Sequence, residues 1–278
     1  MISTDDTADQ PPGFAGQKLA GRVALVTGGT RGIGAAICAS LASQGSVVAA
    51  GYSGNTERAE AFAAGFGRRP GPPVRLTLHQ GNVAAPEDCQ RVVQEVIDRH
   101  GRLDILVNNA GITQDKLALD LTTDDWDKVI SVNLSGAFYM AQAALGHMLE
   151  RGTGRIINVS SIAGEIGNVG QTNYAASKSG LTGLTKALAR ETAFLLGRSG
   201  KLTPDTIGLT VNAVAPGLIA TEMLDTIPAR TLDRLTAQIP CRRLGRPQEV
   251  ARIVHFLAAD ASSYITGQVW DVNGGMDM

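Results

Sequence analysis

The sequence predicts an α/β fold: a single doubly wound domain in which helices flank a seven-stranded parallel sheet. Seven short runs are apolar and rich in β-branched residues, as in strands that are buried on both faces. Helical segments separate these runs, and the chain shows neither an internal repeat nor a linker to a second domain. Strands that alternate with helices in this way favour one doubly wound sheet.

The boundaries of the elements follow from the same pattern. The predicted strands are Val23–Val26, Ser46–Ala50, Val74–Leu78, Leu103–Val107, Arg155–Val159, Leu209–Val214 and Val269–Val272. The predicted helices are Gly34–Ser43, Thr56–Phe66, Pro86–Arg99, Thr123–Glu150, Asn173–Leu196 and Pro247–Ala259. Pro86 and Pro247 suit the first turn of a helix, and Thr122 or Thr123, which precede two aspartates, suits a helix start.

The N-terminal end differs from the rest of the chain. Residues 1–18 combine polar and acidic residues with Pro11 and Pro12, so they predict a disordered tail before one domain over residues 19–278. The tail lacks the basic end and apolar core of a signal peptide, and no later stretch has the eighteen or so consecutive apolar residues of a membrane span. We therefore expect a cytoplasmic protein that does not enter a membrane.

The composition narrows the possible functions. With 278 residues, 44% of them hydrophobic, and a net charge of −1, the chain can bury a large core and has no excess charge to attract nucleic acid. Cys38, Cys89 and Cys241 are scattered, and we expect them to be buried thiols in a reducing cytoplasm. Neither the cysteines nor the four histidines have metal-ligand spacing, so no metal site is predicted.

A glycine-rich turn follows the first predicted strand and leads directly into a helix. Its sequence, TGGTRGIG (27–34), lets backbone N–H groups approach a pyrophosphate, and the helix N-terminus adds partial positive charge. The spacing G-x-x-x-G-x-G departs from G-x-G-x-x-G, and alone it could be a flexible turn. Between a strand and a helix it predicts dinucleotide binding by a Rossmann-type domain. The predicted contacts are Gly28, Thr30, Arg31, Gly32, Ile33 and Gly34.

The end of the second predicted strand indicates which dinucleotide is bound. An acidic residue there would bind the free ribose 2′-hydroxyl of NADH, but residues 50–55 contain no carboxylate. Arg31 can instead pair with the 2′-phosphate of NADPH, and Ser53 can donate a hydrogen bond. The alternative is that Arg31 is a solvent-facing loop cation. The sequence thus favours NADPH/NADP+ as the cofactor.

Three side chains near the fifth predicted strand can perform acid–base chemistry. Ser161 follows that strand, Tyr174 lies thirteen residues later, and Lys178 follows Tyr174 by four residues, on the same face of a helix. A phenol ionises at about pH 10, and a neighbouring ammonium stabilises its anion. An isolated Tyr-x-x-x-Lys is most often ordinary helix sequence, so the other motifs decide whether the pair is catalytic.

Together these motifs resemble the short-chain dehydrogenase/reductase family over residues 20–278. The matching segments are TGGTRGIG (27–34), GNV (81–83), NNAG (108–111), Asn133 in SVNLSG, Ser161, YAASK (174–178) and NAVAPG (212–217). The resemblance implies that Tyr174 protonates a carbonyl oxygen and that Ser161 donates a hydrogen bond to it. Lys178 would lower the pKa of Tyr174 and hold the nicotinamide ribose, and Asn133 would hold a water for proton resupply. Alternatively, Ser161 ends a strand and Asn133 satisfies a buried backbone group.

The resemblance also implies further contacts with the cofactor. Asn82 and Val83 would meet the adenine, although family members often have Asp at the first of these positions. The other expected contacts, at the ribose and the nicotinamide, are Asn109, Ala110, Gly111, Pro216, Gly217, Ile219 and Thr221.

Within the family, the chain is most similar to the 3-oxoacyl-[acyl-carrier-protein] reductases and the acetoacetyl-CoA reductases. This resemblance rests on NNAGITQD (108–115), GQTNYAASKSGL (170–181), RLGRPQEVA (243–251) and YITGQVWDVNGGMDM (264–278). It implies a homotetramer that uses NADPH to reduce a 3-oxoacyl thioester of CoA or acyl-carrier protein, with Asp115 and Gln171 on the substrate side. The alternatives are an alcohol or hydroxysteroid dehydrogenase of the same fold and a cofactor-sensing protein without turnover.

Two later segments carry no catalytic motif. The apolar residues of 217–240 predict a lid with a helix over the acyl group, although core packing gives the same pattern. Residues 196–208 are about ten residues longer than the usual turn in relatives, and their Gly, Ser and Pro content is typical of an exposed loop. Arg198 and Lys201, with Arg151 and Arg155, are candidates to dock an acidic carrier protein, but a solvated basic face is favoured.

Overall fold

Seven parallel strands form one sheet in the computed structural model, which describes residues 18–66, 75–224 and 228–278. The strands are β1 (Val23–Val26), β2 (Val47–Tyr52), β3 (Leu76–Gln80), β4 (Ile105–Asn108), β5 (Gly154–Val159), β6 (Leu209–Pro216) and β7 (Val269–Val272). Their order across the sheet is β3-β2-β1-β4-β5-β6-β7, and every neighbouring pair is parallel. The winding reverses between β1 and β4, so the predicted doubly wound α/β fold is confirmed.

Helices cover both faces of this sheet. Those in the described residues are α1 (Gly32–Ser43), α2 (Thr56–Phe66), α3 (Pro86–His100), α4 (Thr123–Ile130), α5 (Gly136–Arg151), α6 (Ala163–Ile166), α7 (Thr172–Arg198), α8 (Ala229–Gln238) and α9 (Pro247–Ala258). Pro86 and Pro247 lie in first turns, as predicted. Thr122 caps α4, because its hydroxyl accepts from the Asp125 N–H while the Asp125 carboxylate accepts from the Thr122 N–H.

The long helix predicted over residues 123–150 is interrupted. A π-helical turn, Ser131–Ser135, separates α4 from α5, and such turns occur frequently at functional sites. By length and composition alone, Thr123–Arg151 is long and apolar enough to cross a membrane. In the fold, α5 packs against α3 and α7 and buries Met140 and Met148 in the core.

Two apolar cores lie on the two faces of the sheet. On one face, α1 packs against α9 and buries residues that include Ile37, Leu41 and Val254. On the other face, α3, α5 and α7 cover the strands, with Val96 and Met148 fully buried. The central strands are buried on both sides, which explains why they are continuous apolar runs in the sequence.

The ends of the elements differ from their predicted ends by a few residues. Strand β6 continues to Pro216, and α7 spans Thr172–Arg198, so each is longer than the sequence pattern indicated. Val74, where the third strand was predicted to begin, lies outside the described residues, as do residues 1–17 of the predicted tail.

The cysteines differ in exposure. All three are reduced thiols rather than halves of disulfides, and Cys38 and Cys89 are buried as predicted. The prediction that Cys241 is buried is wrong, because this residue lies in the exposed connection between α8 and α9 rather than in an element of the core.

A buried carboxylate ties β4 to β1 at the amino-terminal edge of the sheet. Asp104 is 1% exposed and accepts hydrogen bonds from the Val23 N–H (2.9 Å) and from the Arg102 guanidinium (2.6 and 2.7 Å). We expect Asp104→Asn to lower the free energy of unfolding by about 3 kcal/mol. Asparagine keeps the shape of the side chain but lacks the negative charge that pairs with the neighbouring guanidinium group. Urea unfolding followed by circular dichroism measures this loss.

Asp98→Asn is the matched control for this prediction. Asp98 lies on the exposed side of α3, where it accepts a hydrogen bond from Gln94, so its change should stay within about 0.5 kcal/mol. Equal losses in the two variants would contradict the structural role of Asp104.

Candidate active site

Three of the four predicted catalytic side chains meet at the carboxyl end of β5. Ser161 follows this strand, while Tyr174 and Lys178 lie one turn apart near the start of α7. The Ser161 hydroxyl is within hydrogen-bonding reach of the Tyr174 phenol. The Lys178 Nζ atom lies 5.7 Å from the centre of the Tyr174 ring. The fold therefore brings a hydroxyl, a phenol and an amine into one cluster.

Burial controls the ionisation of this cluster. It raises the pKa of Tyr174 above its ordinary value, and although the hydrogen bond with Ser161 acts in the opposite direction, the charge of Asp115 adds to the rise. Burial also lowers the pKa of Lys178 to about 8. Burial thus favours the protonated phenol in this structure, and the expected effect of the Lys178 charge on the Tyr174 pKa stays a prediction.

Backbone contacts hold the catalytic side chains in place. The Lys178 ammonium donates a hydrogen bond to the Val159 carbonyl at the end of β5 (2.8 Å). The Ser160 hydroxyl donates to the Lys178 carbonyl (2.8 Å), which fixes α7 against the same strand. The Ser161 hydroxyl oxygen accepts from the Ala163 N–H (3.2 Å) and can still donate its proton.

Two further residues, which no sequence motif reveals, position Tyr174. Asn173 is fully buried, and its side-chain oxygen accepts from the Tyr174 N–H (2.8 Å) while its amide group donates to the Gln114 and Asp125 carbonyls. The Ser177 hydroxyl donates to the Tyr174 carbonyl (2.7 Å). Both residues lie inside a helix, and the sequence shows only that they are polar. Their burial, which would mark them as functional, is known only from the fold.

Asn133 lies in the π-helical turn and faces the loop that follows β4. Its side-chain oxygen accepts from the Ile112 N–H (2.9 Å), and its amide group donates to the Ile112 carbonyl and to the Ser177 hydroxyl (3.0 Å each). The Asn133 oxygen and the Lys178 ammonium each lie 3.4 Å from the position that a Cβ on Gly111 would occupy. The side chain of Asn133 therefore satisfies buried backbone groups. Because Gly111 has no side chain, the space between Asn133 and Lys178 stays open.

The two predicted substrate-side residues contact each other near the phenol. The Gln171 amide donates to both carboxylate oxygens of Asp115 (3.0 and 3.2 Å), and its own oxygen accepts from Asn168 (2.9 Å). The charge of Asp115 also acts on Tyr174. These contacts place a polar, acidic wall beside the catalytic cluster.

The glycine turn forms a cradle that a side chain would fill. Gly28 and Gly32 have φ values of +61° and +49°, in the region that favours glycine. A Cβ on Gly34 would lie 2.1 Å from the Gly28 carbonyl oxygen, so only glycine fits where α1 meets the turn. The Asn109 amide donates to the Thr27 and Gly28 carbonyls (2.9 and 3.1 Å). These two hydrogen bonds hold the turn against β4 and occupy the NH₂ group of Asn109. The backbone of the turn fits a pyrophosphate at the start of α1.

The other predicted cofactor residues follow the carboxyl ends of the strands, on the same edge as the turn. Ser53 follows β2, and its carbonyl accepts from Gln80 (3.1 Å). Asn82 follows β3, and its side-chain oxygen accepts from the Ala84 N–H (3.1 Å), so its NH₂ group is the end that can donate to a base. The remaining residues on this edge are Thr30, Arg31, Ile33, Val83, Ala110, Gly111, Pro216, Gly217, Ile219 and Thr221.

The segment after β6 returns to the glycine turn. Thr221 lies 3.5 Å from the position that a Cβ on Gly32 would occupy, so the segment begins directly beside the turn. Ile219 is buried in the core, and its side chain packs there. The helix predicted within the lid is α8, and Ile227, one of its predicted apolar residues, lies outside the described residues.

The long loop after α7 lies at the opposite edge of the sheet. The Lys201 ammonium donates to the Leu149 and Glu150 carbonyls at the end of α5 (3.1 and 2.6 Å), and Arg155 is buried within β5. The loop precedes the amino end of β6, whereas Ser161 follows the carboxyl end of β5. Lys201 and Arg155 are thus engaged within the fold, whereas Arg151 and Arg198 are exposed, and the docking of a carrier protein by this basic group stays a prediction.

Comparisons with known proteins find a family model and relatives that match nearly the whole chain. A family model described as "Enoyl-(Acyl carrier protein) reductase" matches residues 28–277. The chain is 47% identical over 255 residues to an acetoacetyl-CoA reductase of Rhizobium meliloti (strain 1021), covering 91% of this chain and 98% of that protein. It is 44% identical over 255 residues to a 3-oxoacyl-[acyl-carrier-protein] reductase FabG of Staphylococcus aureus (strain Mu50 / ATCC 700699), covering 92% and 98%. A FabG of Thermotoga maritima is 41% identical over 259 residues, covering 93% and 99%.

Proposed function

The chain belongs to the short-chain dehydrogenase/reductase family, and from this premise we propose that it reduces a 3-oxoacyl thioester to the 3-hydroxyacyl thioester with NADPH. The main support is the pair of hydroxyls of Ser161 and Tyr174, which can both donate to one ketone oxygen. They lie on the edge of the sheet that carries the glycine turn. The similar proteins are named as reductases of such thioesters.

Each catalytic residue has a distinct role in this proposal. The bound nicotinamide cofactor supplies a hydride to the ketone carbon. Tyr174 donates its proton to the ketone oxygen as negative charge develops there, and Ser161 stabilises that charge with a hydrogen bond. Lys178 stabilises the phenolate that remains and holds the nicotinamide ribose. Asn133 anchors the loop at Ile112, beside the space through which a water can resupply the proton.

The choice of NADPH over NADH rests on charge at the end of β2. Residues 50–55, at the end of this strand, include no carboxylate to bind a free 2′-hydroxyl, and the Arg31 guanidinium, 57% exposed in the glycine turn, is available to a phosphate. Arg31 and Ser53 are therefore proposed to contact the 2′-phosphate of NADPH.

The rate of ketone reduction is expected to fall as the pH rises above about 8. Burial lowers the pKa of Lys178 to about 8 and raises that of Tyr174. Tyr174 therefore keeps its proton through this range, while Lys178 loses the charge that stabilises the phenolate left after proton donation. Measuring kcat from about pH 6 to about pH 10 tests this expectation. A reduction rate that stays constant throughout would contradict it, and the reverse oxidation, which needs the phenolate, should rise with pH.

Other substrates remain alternatives with the same fold. An alcohol or hydroxysteroid dehydrogenase would use the same catalytic residues. An enoyl reductase, the activity named in the description of the matching family model, would instead reduce a carbon–carbon double bond. A cofactor-sensing protein would bind NADPH without turnover.

One experiment separates these functions. NADPH oxidation is measured side by side with acetoacetyl-CoA, a carrier-linked 3-oxoacyl analogue, the enoyl thioester crotonyl-CoA and a panel of simple ketones. The proposal requires kcat/KM for a 3-oxoacyl thioester to exceed that for crotonyl-CoA and for the simple ketones. Comparison of acetoacetyl-CoA with the carrier-linked analogue shows whether CoA or the carrier protein is the preferred acyl carrier. A higher value with crotonyl-CoA or a simple ketone, or no turnover at all, would overturn it.

We also propose a cytoplasmic homotetramer. Trp126, Phe138 and Phe194 are exposed apolar side chains on α4, α5 and α7, and β7 is an edge strand of the sheet. Subunit contacts would cover these surfaces. Reduced cysteine thiols agree with a reducing compartment.

A further inference from the structure

A carboxylate lies between two arginines where a 2′-phosphate is expected. One Glu222 oxygen is 2.9 Å from the Arg58 guanidinium and 3.7 Å from that of Arg31. We propose that Glu222 occupies the 2′-phosphate site of the free protein, that the phosphate of NADPH displaces it, and that Arg58 is a second phosphate ligand beside Arg31. This inference rests on the proposed preference for NADPH.

The two arginines come from the elements that border the adenosine ribose in a doubly wound fold. Arg31 immediately precedes α1, after β1, and Arg58 lies in the first turn of α2, after β2. The Asn55 side chain accepts from the Arg58 N–H (2.8 Å), which fixes the start of α2 and therefore the root of the Arg58 side chain. The two guanidinium groups thus face one point at the carboxyl edge of β1 and β2.

The charges favour a phosphate over the carboxylate at this point. Two guanidinium groups share one carboxylate, so the site keeps a net positive charge. A phosphate monoester carries more negative charge than a carboxylate and has three acceptor oxygens, enough to engage both arginines. All three side chains are about half exposed, and ion pairs between exposed groups are weak, so the carboxylate is a displaceable occupant.

The displaced residue belongs to the segment that returns to the glycine turn. Glu222 directly follows Thr221, which lies beside Gly32, and it begins the single turn Glu222–Leu224. The pairing of Glu222 with Arg58 therefore ties the start of the lid to α2. Release of Glu222 by a 2′-phosphate frees this segment, whereas NADH, which has only a hydroxyl there, leaves the pairing in place.

Nucleotide binding without a thioester tests the inference. Isothermal titration calorimetry measures Kd for 2′,5′-ADP and for 5′-AMP, and protein fluorescence measures Kd for NADPH and NADH. Glu222→Gln should tighten 2′,5′-ADP and NADPH about fivefold, because it removes the competing charge, and should leave 5′-AMP and NADH within about twofold. Arg58→Gln should weaken 2′,5′-ADP about tenfold or more with little effect on 5′-AMP.

Glu57→Gln is the matched control, because it removes the same charge from the adjacent position of α2 without altering the bridge. It should leave all four constants within about twofold. Unchanged or weaker binding of 2′,5′-ADP to Glu222→Gln would overturn the inference, as would an equal gain in the control.

The same data separate this inference from the proposed function. If the wild-type protein binds 2′,5′-ADP no more tightly than 5′-AMP, the proposed preference for NADPH fails. If the wild type does prefer 2′,5′-ADP and Glu222→Gln behaves like wild type, only the role of Glu222 fails.

Discussion

Tyr174→Phe is expected to lower kcat for ketone reduction by about 10³-fold or more while leaving the Kd for NADPH within about twofold. The change removes one hydroxyl and keeps the ring, so it deletes both the proton donor and a hydrogen bond to the developing oxyanion. The neighbouring Ser161 hydroxyl can still donate a hydrogen bond, but a serine hydroxyl is too weak an acid to replace the phenol. Steady-state rates and fluorescence titration with NADPH measure the two quantities.

Tyr264→Phe is the control, since Tyr264 is fully exposed and distant from β5 in the sequence. It should retain wild-type kcat. Ser161→Ala should lose about 10²-fold, because it removes one donor to the oxyanion and leaves the acid in place. Substantial turnover by Tyr174→Phe would contradict the assignment of the proton donor.

Lys178→Met is expected to lower kcat by about 10²-fold or more and to weaken NADPH binding, without destabilising the fold. The ammonium lies 5.7 Å from the Tyr174 ring centre and is the positive charge that stabilises the phenolate formed during reduction. Methionine keeps the length and apolar stem of the side chain and removes only the charge and the hydrogen bond to Val159.

The stability of this variant separates a catalytic role from a structural one. Burial lowers the pKa of Lys178 to about 8 in the folded protein, from an ordinary value near 10.5. A lysine with a lowered folded pKa costs stability below the folded pKa, and this cost disappears as the pH rises from about 8 to about 10.5. Methionine has no such cost, so at pH 7 the free energy of unfolding should stay the same or increase.

Lys186→Met is the control on the same helix. Lys186 is exposed on α7, two turns beyond Lys178, and its replacement should change neither kcat nor stability beyond about twofold and about 0.5 kcal/mol. A Lys178→Met variant that is active, or one that is inactive because it is unfolded, would contradict the proposed role.

The sequence predicted the sheet because its strands are short apolar runs bounded by helix signals. β1 and β7 begin and end where the pattern placed them, and Pro86 and Pro247 marked the starts of α3 and α9. The π-helical turn at Ser131–Ser135 was missed, because a single turn of five residues is too short to change the apolar pattern of the helices on either side of it.

The candidate site was predictable where its residues lie in one short motif. Tyr174 and Lys178 are four residues apart, so their common face follows from helical geometry alone. Glu222 and Arg58 are 164 residues apart, and no local pattern connects them. The direction of the Tyr174 pKa shift was also beyond the sequence, because it depends on how deeply the fold buries the phenol.

The structure of the protein with NADP+ and a 3-oxoacyl thioester tests the central claim most directly. We predict that the ketone oxygen lies within about 3 Å of both the Tyr174 and the Ser161 hydroxyls, with the ketone carbon facing the nicotinamide. A thioester that binds with its ketone turned away from these two hydroxyls, or a dinucleotide that binds away from the glycine turn, would contradict the account.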